Sequence, residues 1–200
     1  MALPGNNRKQ RDNLIWAAAK LFRRQGYSST GLRDILAASG AARGSLYHYF
    51  PDGKEQIGAA AVTAAGGLVT ETFAELARQA DNPTDFLRRY TDFLVRWLEA
   101  SDFRDGCPIT TTLLETAPGS GAITAAGQAV FADWRAVIEA MLRQHDWPAA
   151  QIAATATAII AGLEGALLLA RVEASAQPIH DATQVLCQLL EENKPRQVGA

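Results

Sequence analysis

Apolar residues recur at intervals of three and four along almost the whole of this 200-residue chain. That spacing collects them on one face of a helix but scatters them over both faces of a strand. Ile15, Ala18, Ala19 and Phe22 stand at i, i+3, i+4 and i+7. Val130, Trp134, Val137 and Met141 follow the same rule at i, i+4, i+7 and i+11. No stretch alternates β-branched and polar residues for long enough to build a sheet. The pattern predicts nine helices with short connections, and so an all-α fold.

The breaks between the stripes come from particular residues. Gly26 is expected to end a first helix of residues 8–25, and Thr30 to offer a capping oxygen to a second. Gly40 stops that second helix, and Pro51 closes a third at 43–50. Further helices are expected at 54–80, weakened around Gly66 and Gly67, and at 83–100, 108–117 and 121–144. Two more follow at 148–174, with Pro148 in its first turn, and 178–192. The tail 193–200 is expected to fray.

Charge divides the chain more sharply than its balance suggests. The net charge is −2 and the pI about 5.9, values that on their own argue against a polyanionic partner. Residues 1–54, however, carry nine basic side chains against three acids, a net of +6, and residues 55–200 net −8. A basic end on an acidic body suits a partner such as nucleic acid. The two cysteines, Cys107 and Cys187, form no CxxC and no cysteine–histidine cluster, so no disulfide scaffold, metal or cofactor is expected. Residues 1–10 lack the apolar segment of a signal peptide. The apolar run at 152–169 is broken by Thr155, Thr157 and Glu164, so no membrane span is expected and a cytoplasmic location is.

Residues 30–50 are the most informative segment, read as a helix-turn-helix with two ordinary core helices as the alternative. Two short helices around Gly40 form a helix-turn-helix, with Leu32, Ile35, Leu36, Leu46 and Phe50 as its small core. The second helix then presents Arg43, Ser45, Tyr47 and His48 outward. A helix fits the major groove of double-stranded DNA, where arginine can pair with both acceptors of guanine. Gly44 would let its backbone approach the duplex. The basic first helix adds phosphate attraction.

The wording of this segment is specific. Ile15, Ala18, Ala19, Leu21, Phe22, Gly26 and Tyr27, then Thr30, the 35–40 segment, the run GSLYHYFP at 44–51 and Lys54 together closely resemble the N-terminal domain of the TetR family of transcriptional regulators. The extra Gly53, with GCPITTTLLETA at 106–117 and GLEGALLLAR at 162–171, resembles the LmrA/YxaF-like branch. The resemblance implies a three-helix DNA-binding domain at 1–53 and a helical effector-binding and dimerisation domain at 54–192. It assigns Arg43, Gly44, Ser45, Tyr47 and His48 to the recognition helix, and Thr30 and Lys54 to phosphate contacts at helix starts. Tyr49 is expected to pack inward.

The resemblance further implies a homodimer on a palindromic operator, released by a small apolar or aromatic effector, with repression the commoner behaviour. The 148–174 helix is apolar nearly all round, and Leu163 and Leu167 with Val185 and Leu189 are the expected dimer contacts. The effector pocket is expected among Phe93, Trp97, Cys107, Thr110, Thr111, Leu114, Phe131 and Trp134, with Cys107 a buried thiol rather than a sensor. A plain aromatic core would use the same aromatic residues. An enzyme is the competing class. Its acid, base or ligand groups would have to come from Glu115, His145, Asp146, Glu164, His180 and Asp181, which show no catalytic spacing, so no activity is expected. A sequence-tolerant DNA binder without an effector is the other alternative.

Overall fold

The computed structural model describes residues 4–193. Its helices are α1 (Pro4–Gln25), α2 (Leu32–Ser39), α3 (Arg43–Tyr49), α4 (Lys54–Gln79), α5 (Pro83–Glu99), α6 (Pro108–Thr116), α7 (Gly121–Gln144), α8 (Ile152–Glu173) and α9 (Gln177–Glu192). Among the described residues there is no strand, and the fold is all-α. Most of the expected tail, 194–200, lies outside the described residues.

Three local expectations need correction. The cap of α2 is Gly31, not Thr30. Asp34 reaches back instead, its Oδ2 accepting the Gly31 N–H at 2.8 Å. Pro148 precedes α8 rather than standing in its first turn; it leads into a single 3₁₀ turn, Ala149–Gln151, from which α8 continues. Finally, α4 runs unbroken through Gly66 and Gly67. A Cβ on Gly66 would overlap the Val130 side chain, so this glycine permits close helix packing where weakness was expected.

The chain separates into two compact units, each with its own core. The first takes residues up to 68 together with Gly106–Phe131. Its centre is Leu14, Ile15, Ala18 and Phe22 from α1, Ile35 from α2, Leu46 from α3, then Phe50 and Ile57. The second takes Val69–Asp105 and the residues from 132 onward. There Phe73 meets Tyr90 edge-on, with ring centroids 4.6 Å apart, and packs on Phe86 and Trp134 as well. A buried hydrogen bond between the hydroxyls of Thr91 and Thr183 ties α5 to α9.

Candidate nucleic-acid interface

The two short helices of the first unit turn about Gly40, whose φ of 65° places it in the left-handed region that glycine enters without strain. Helix α3 has only seven residues, so its two faces can be read directly. Leu46 and Phe50, four apart, point into the core and are fully buried or nearly so. Arg43 and Tyr47, and Gly44 and His48, are also spaced by four and are all exposed. Burying Leu46 and Phe50 therefore fixes which side chains look outward. Tyr49 is half-buried against the core, as expected, with its ring edge-on to His48.

The other expected DNA contacts are engaged within the protein. Ser45 is half-buried, and its hydroxyl lies 3.4 Å from Gln10 Oε1. Thr30 is fully buried, and its hydroxyl donates to the Gly26 carbonyl at 2.7 Å. That hydroxyl closes the turn and offers no surface to a duplex. Lys54 is half-buried at the start of α4. Its Nζ sits 4.3 Å over the Tyr27 ring and donates to the Ser28 carbonyl at 3.3 Å. Burial lowers its pKa, against the opposing pull of Glu115.

Helices α1 and α2 expose several basic side chains. Arg8, Lys9, Arg11, Lys20, Arg24 and Arg33 are exposed, and the Arg11 guanidinium lies 5.5 Å over the Phe50 ring. A further cluster lies at the entrance to α2. Glu115 of α6 bonds to the backbone of Tyr27 and Ser28, next to Lys54. The partners are nearly ninety positions apart, a separation that no local spacing signals.

The expected pocket residues fall in both units. In the first, Cys107 is a buried thiol at the start of α6, and its carbonyl accepts the Thr111 hydroxyl at 2.7 Å. Thr110 and Phe131 are half-buried, whereas Leu114 is 76% exposed and points away from any lining within this unit. In the second, Trp134 is a core residue against Phe73, Trp97 is half-buried and Phe93 is exposed. A cleft of the second unit, about 580 Å³, is lined by other residues, Asn82, Arg88, His145 and Trp147 among them.

The expected dimer contacts also divide. Leu163 and Leu167 are buried inside their own chain, with Ala166 and Ala170. The opposite face of α8 exposes Gly165, Leu168, Leu169 and Val172, and α9 exposes Val185 and Leu189 beside it. Helix α8 is apolar all round because it has one face in its own core and a second, bare one. By length and composition α4 and the Ala149–Glu173 segment could cross a membrane, a test that core helices of soluble proteins also pass.

Among the described residues no three histidine, cysteine, aspartate or glutamate side chains gather as a metal site. Two of the acidic side chains considered for catalysis are engaged in other contacts. Glu115 bonds to backbone, and Asp181 accepts the Gln177 amide at 2.7 Å.

A buried-face, exposed-face helix turned about a left-handed glycine defines a helix-turn-helix protein with a separate helical body. Residues 14–61 match the family model for bacterial regulatory proteins of the tetR family, and residues 83–185 match that for the LmrA/YxaF-like regulator C-terminal domain. The HTH-type transcriptional regulator LmrA of Bacillus subtilis is 28% identical over 180 residues, covering 90% of this chain and 96% of that one. An uncharacterised HTH-type regulator of Mycobacterium tuberculosis is 32% identical over 185 residues, covering 90% and 93%. A crystal structure of a TetR regulatory protein from Rhodobacter sphaeroides superposes with a TM-score of 0.76 at 29% identity, covering 88% of this chain and 96% of that one. The chain belongs to the TetR family of transcriptional regulators, in its LmrA/YxaF-like branch.

Proposed function

We propose that this chain is a cytoplasmic homodimeric repressor that binds a palindromic DNA operator and is released by a small apolar or aromatic effector, without cofactor or catalytic activity. The exposed α3 face of Arg43, Gly44, Tyr47 and His48, held from behind by Leu46 and Phe50, carries the reading. A rigidly backed helix can hold side chains against base edges, and the exposed bases of α1 and Arg33 supply the salt-sensitive phosphate term. Residues 1–53 meet the DNA in this reading, and 54–192 serve effector and partner.

Dimerisation is supported by the bare face of α8 and α9. Leu168, Leu169, Val172, Val185 and Leu189 are five large apolar side chains between 40% and 75% exposed. A patch of that kind marks an interaction surface, and a second copy placed by two-fold symmetry would cover it with the same two helices. Two linked heads would then read two half-sites. In the second unit the exposed Phe93 and half-buried Trp97 suit an aromatic effector. An effector that favours one arrangement over the other would shift operator affinity by about 1–3 kcal/mol.

The test is selection of duplexes from a random pool by the full-length protein, followed by titration of planar aromatic compounds against the selected duplex. The expected motif is an inverted repeat that one class of compound releases. Enrichment of no motif, with binding that follows salt alone, would replace the regulator with a sequence-tolerant DNA binder.

A further inference from the structure

We propose that Glu115 is a positioning residue for DNA binding: its carboxylate clamps the turn that enters the helix-turn-helix, and through it α6 governs the reading head. The inference rests on the DNA-binding reading above. Helix α1 ends at Gln25, and seven residues later α2 begins at Leu32. The first two backbone donors of that turn after Gly26 go to a residue far along the sequence. Tyr27 N–H donates to Glu115 Oε1 at 3.0 Å, and Ser28 N–H donates to Oε2 at 2.7 Å. Two adjacent donors on the two oxygens of one group need a carboxylate, because an amide has a single acceptor oxygen.

The opposite side of the turn is held too. Lys54 Nζ donates to the Ser28 carbonyl and lies over Tyr27, whose ring packs 5.1 Å from that of Phe22. Gly26 has a φ of +86°, and a Cβ on it would overlap Glu115 Oε1, so the glycine makes room for the clamp. Gly106 N–H adds a tie from the segment before α6 to the Arg23 carbonyl at 3.0 Å. Displacement of the turn would reach α3 directly. Thr30 bonds the turn into one piece, α2 begins two residues later, and Ile35 and Leu46 bury α2 and α3 in one core.

The clamp differs from a core contact in being exposed. Glu115 and Ser28 both meet solvent. Opening the clamp lets water replace the lost bonds, so these two hydrogen bonds can break without unfolding the head. Hydrogen bonds from Ser28 and Tyr27 and the charge of Lys54 hold the Glu115 pKa below its ordinary value, keeping the clamp charged at neutral pH.

Amide hydrogen exchange by NMR on the full-length protein, with Glu115→Gln and Glu115→Asp, tests this. Glu115→Gln keeps the shape but sets an NH₂ group against one of the two N–H donors. Its Tyr27 and Ser28 amides should exchange about tenfold faster, while Ala166 and Ala170 in α8 keep their rates. Affinity for the duplex selected by the wild-type protein should fall about tenfold in parallel, and Glu115→Asp, which keeps the charge, should recover part of it. Unchanged exchange at Tyr27 and Ser28 overturns the clamp. Faster exchange with unchanged affinity overturns the positioning role, as does affinity that Glu115→Asp fails to recover. If the wild-type protein selects no duplex, the DNA-binding reading fails and with it the positioning role, and the exchange rates still decide the clamp.

Discussion

Leu46 and Tyr47 are neighbours on α3 with opposite surroundings. The Leu46 side chain is fully buried among Ile35, Phe50 and Phe22, and Tyr47 is 53% exposed. Replacing Leu46 with alanine removes its apolar contacts and leaves a cavity, which costs about 2–5 kcal/mol at a site of this kind. The wholly enclosed position argues for the upper half of that range. Tyr47→Ala removes a half-solvated ring and leaves no cavity, so it should change stability by about 0.5 kcal/mol or less. Urea denaturation of the full-length protein, followed by the signal of the first unit, measures both. Binding to a selected duplex should be lost in Tyr47→Ala at full stability, and lost in Leu46→Ala because the head unfolds. The reasoning is refuted if Tyr47→Ala destabilises the protein as much as Leu46→Ala, or if it binds the duplex like the wild type.

Other expectations follow from the same geometry. Leu168→Asp with Val172→Asp should convert a dimer to monomers in analytical ultracentrifugation and leave the helical circular-dichroism signal in place, whereas Leu163→Asp should unfold the second unit because Leu163 faces its own core. Gly26→Ala meets both a left-handed φ and Glu115 Oε1, so thermal melting should show a loss of about 1–3 kcal/mol. Glu115 has a lowered pKa in the folded protein, so its contribution is complete above the ordinary carboxylate value of about 4 and is lost as pH falls through the lower folded value. The stability difference between wild type and Glu115→Gln should therefore be constant from neutral pH to about pH 5 and shrink below that.

How much was legible beforehand depended on how local each feature is. The faces of α3 could be read because four-residue spacing inside seven residues leaves little choice once Leu46 and Phe50 are inward. The left-handed glycine at 40 was legible for the same reason: a sharp turn between two short helices leaves few residues able to make it. Thr30 misled because its capping chemistry is real, but Asp34 and the Gly31 backbone satisfy the helix start, freeing the hydroxyl to close the turn. The apolar periphery of α8 announced two covered faces without saying which face met its own chain. Leu163 and Leu168 differ by five positions, and only tertiary packing separates the buried one from the exposed one. Glu115 was visible as an acid with no assigned task. Its task depends on a contact across nearly ninety residues, which the fold creates and the local sequence does not encode.

The central claim is that the exposed face of α3 reads bases. The most direct measurement compares the base preferences of wild-type protein and Arg43→Ala, both selected from the same random duplex pool at fixed salt. Wild type should return an inverted repeat, and Arg43→Ala should lose preference at one position of each half-site, at a cost of about 1–3 kcal/mol for the preferred base. Identical preferences at every position would contradict it.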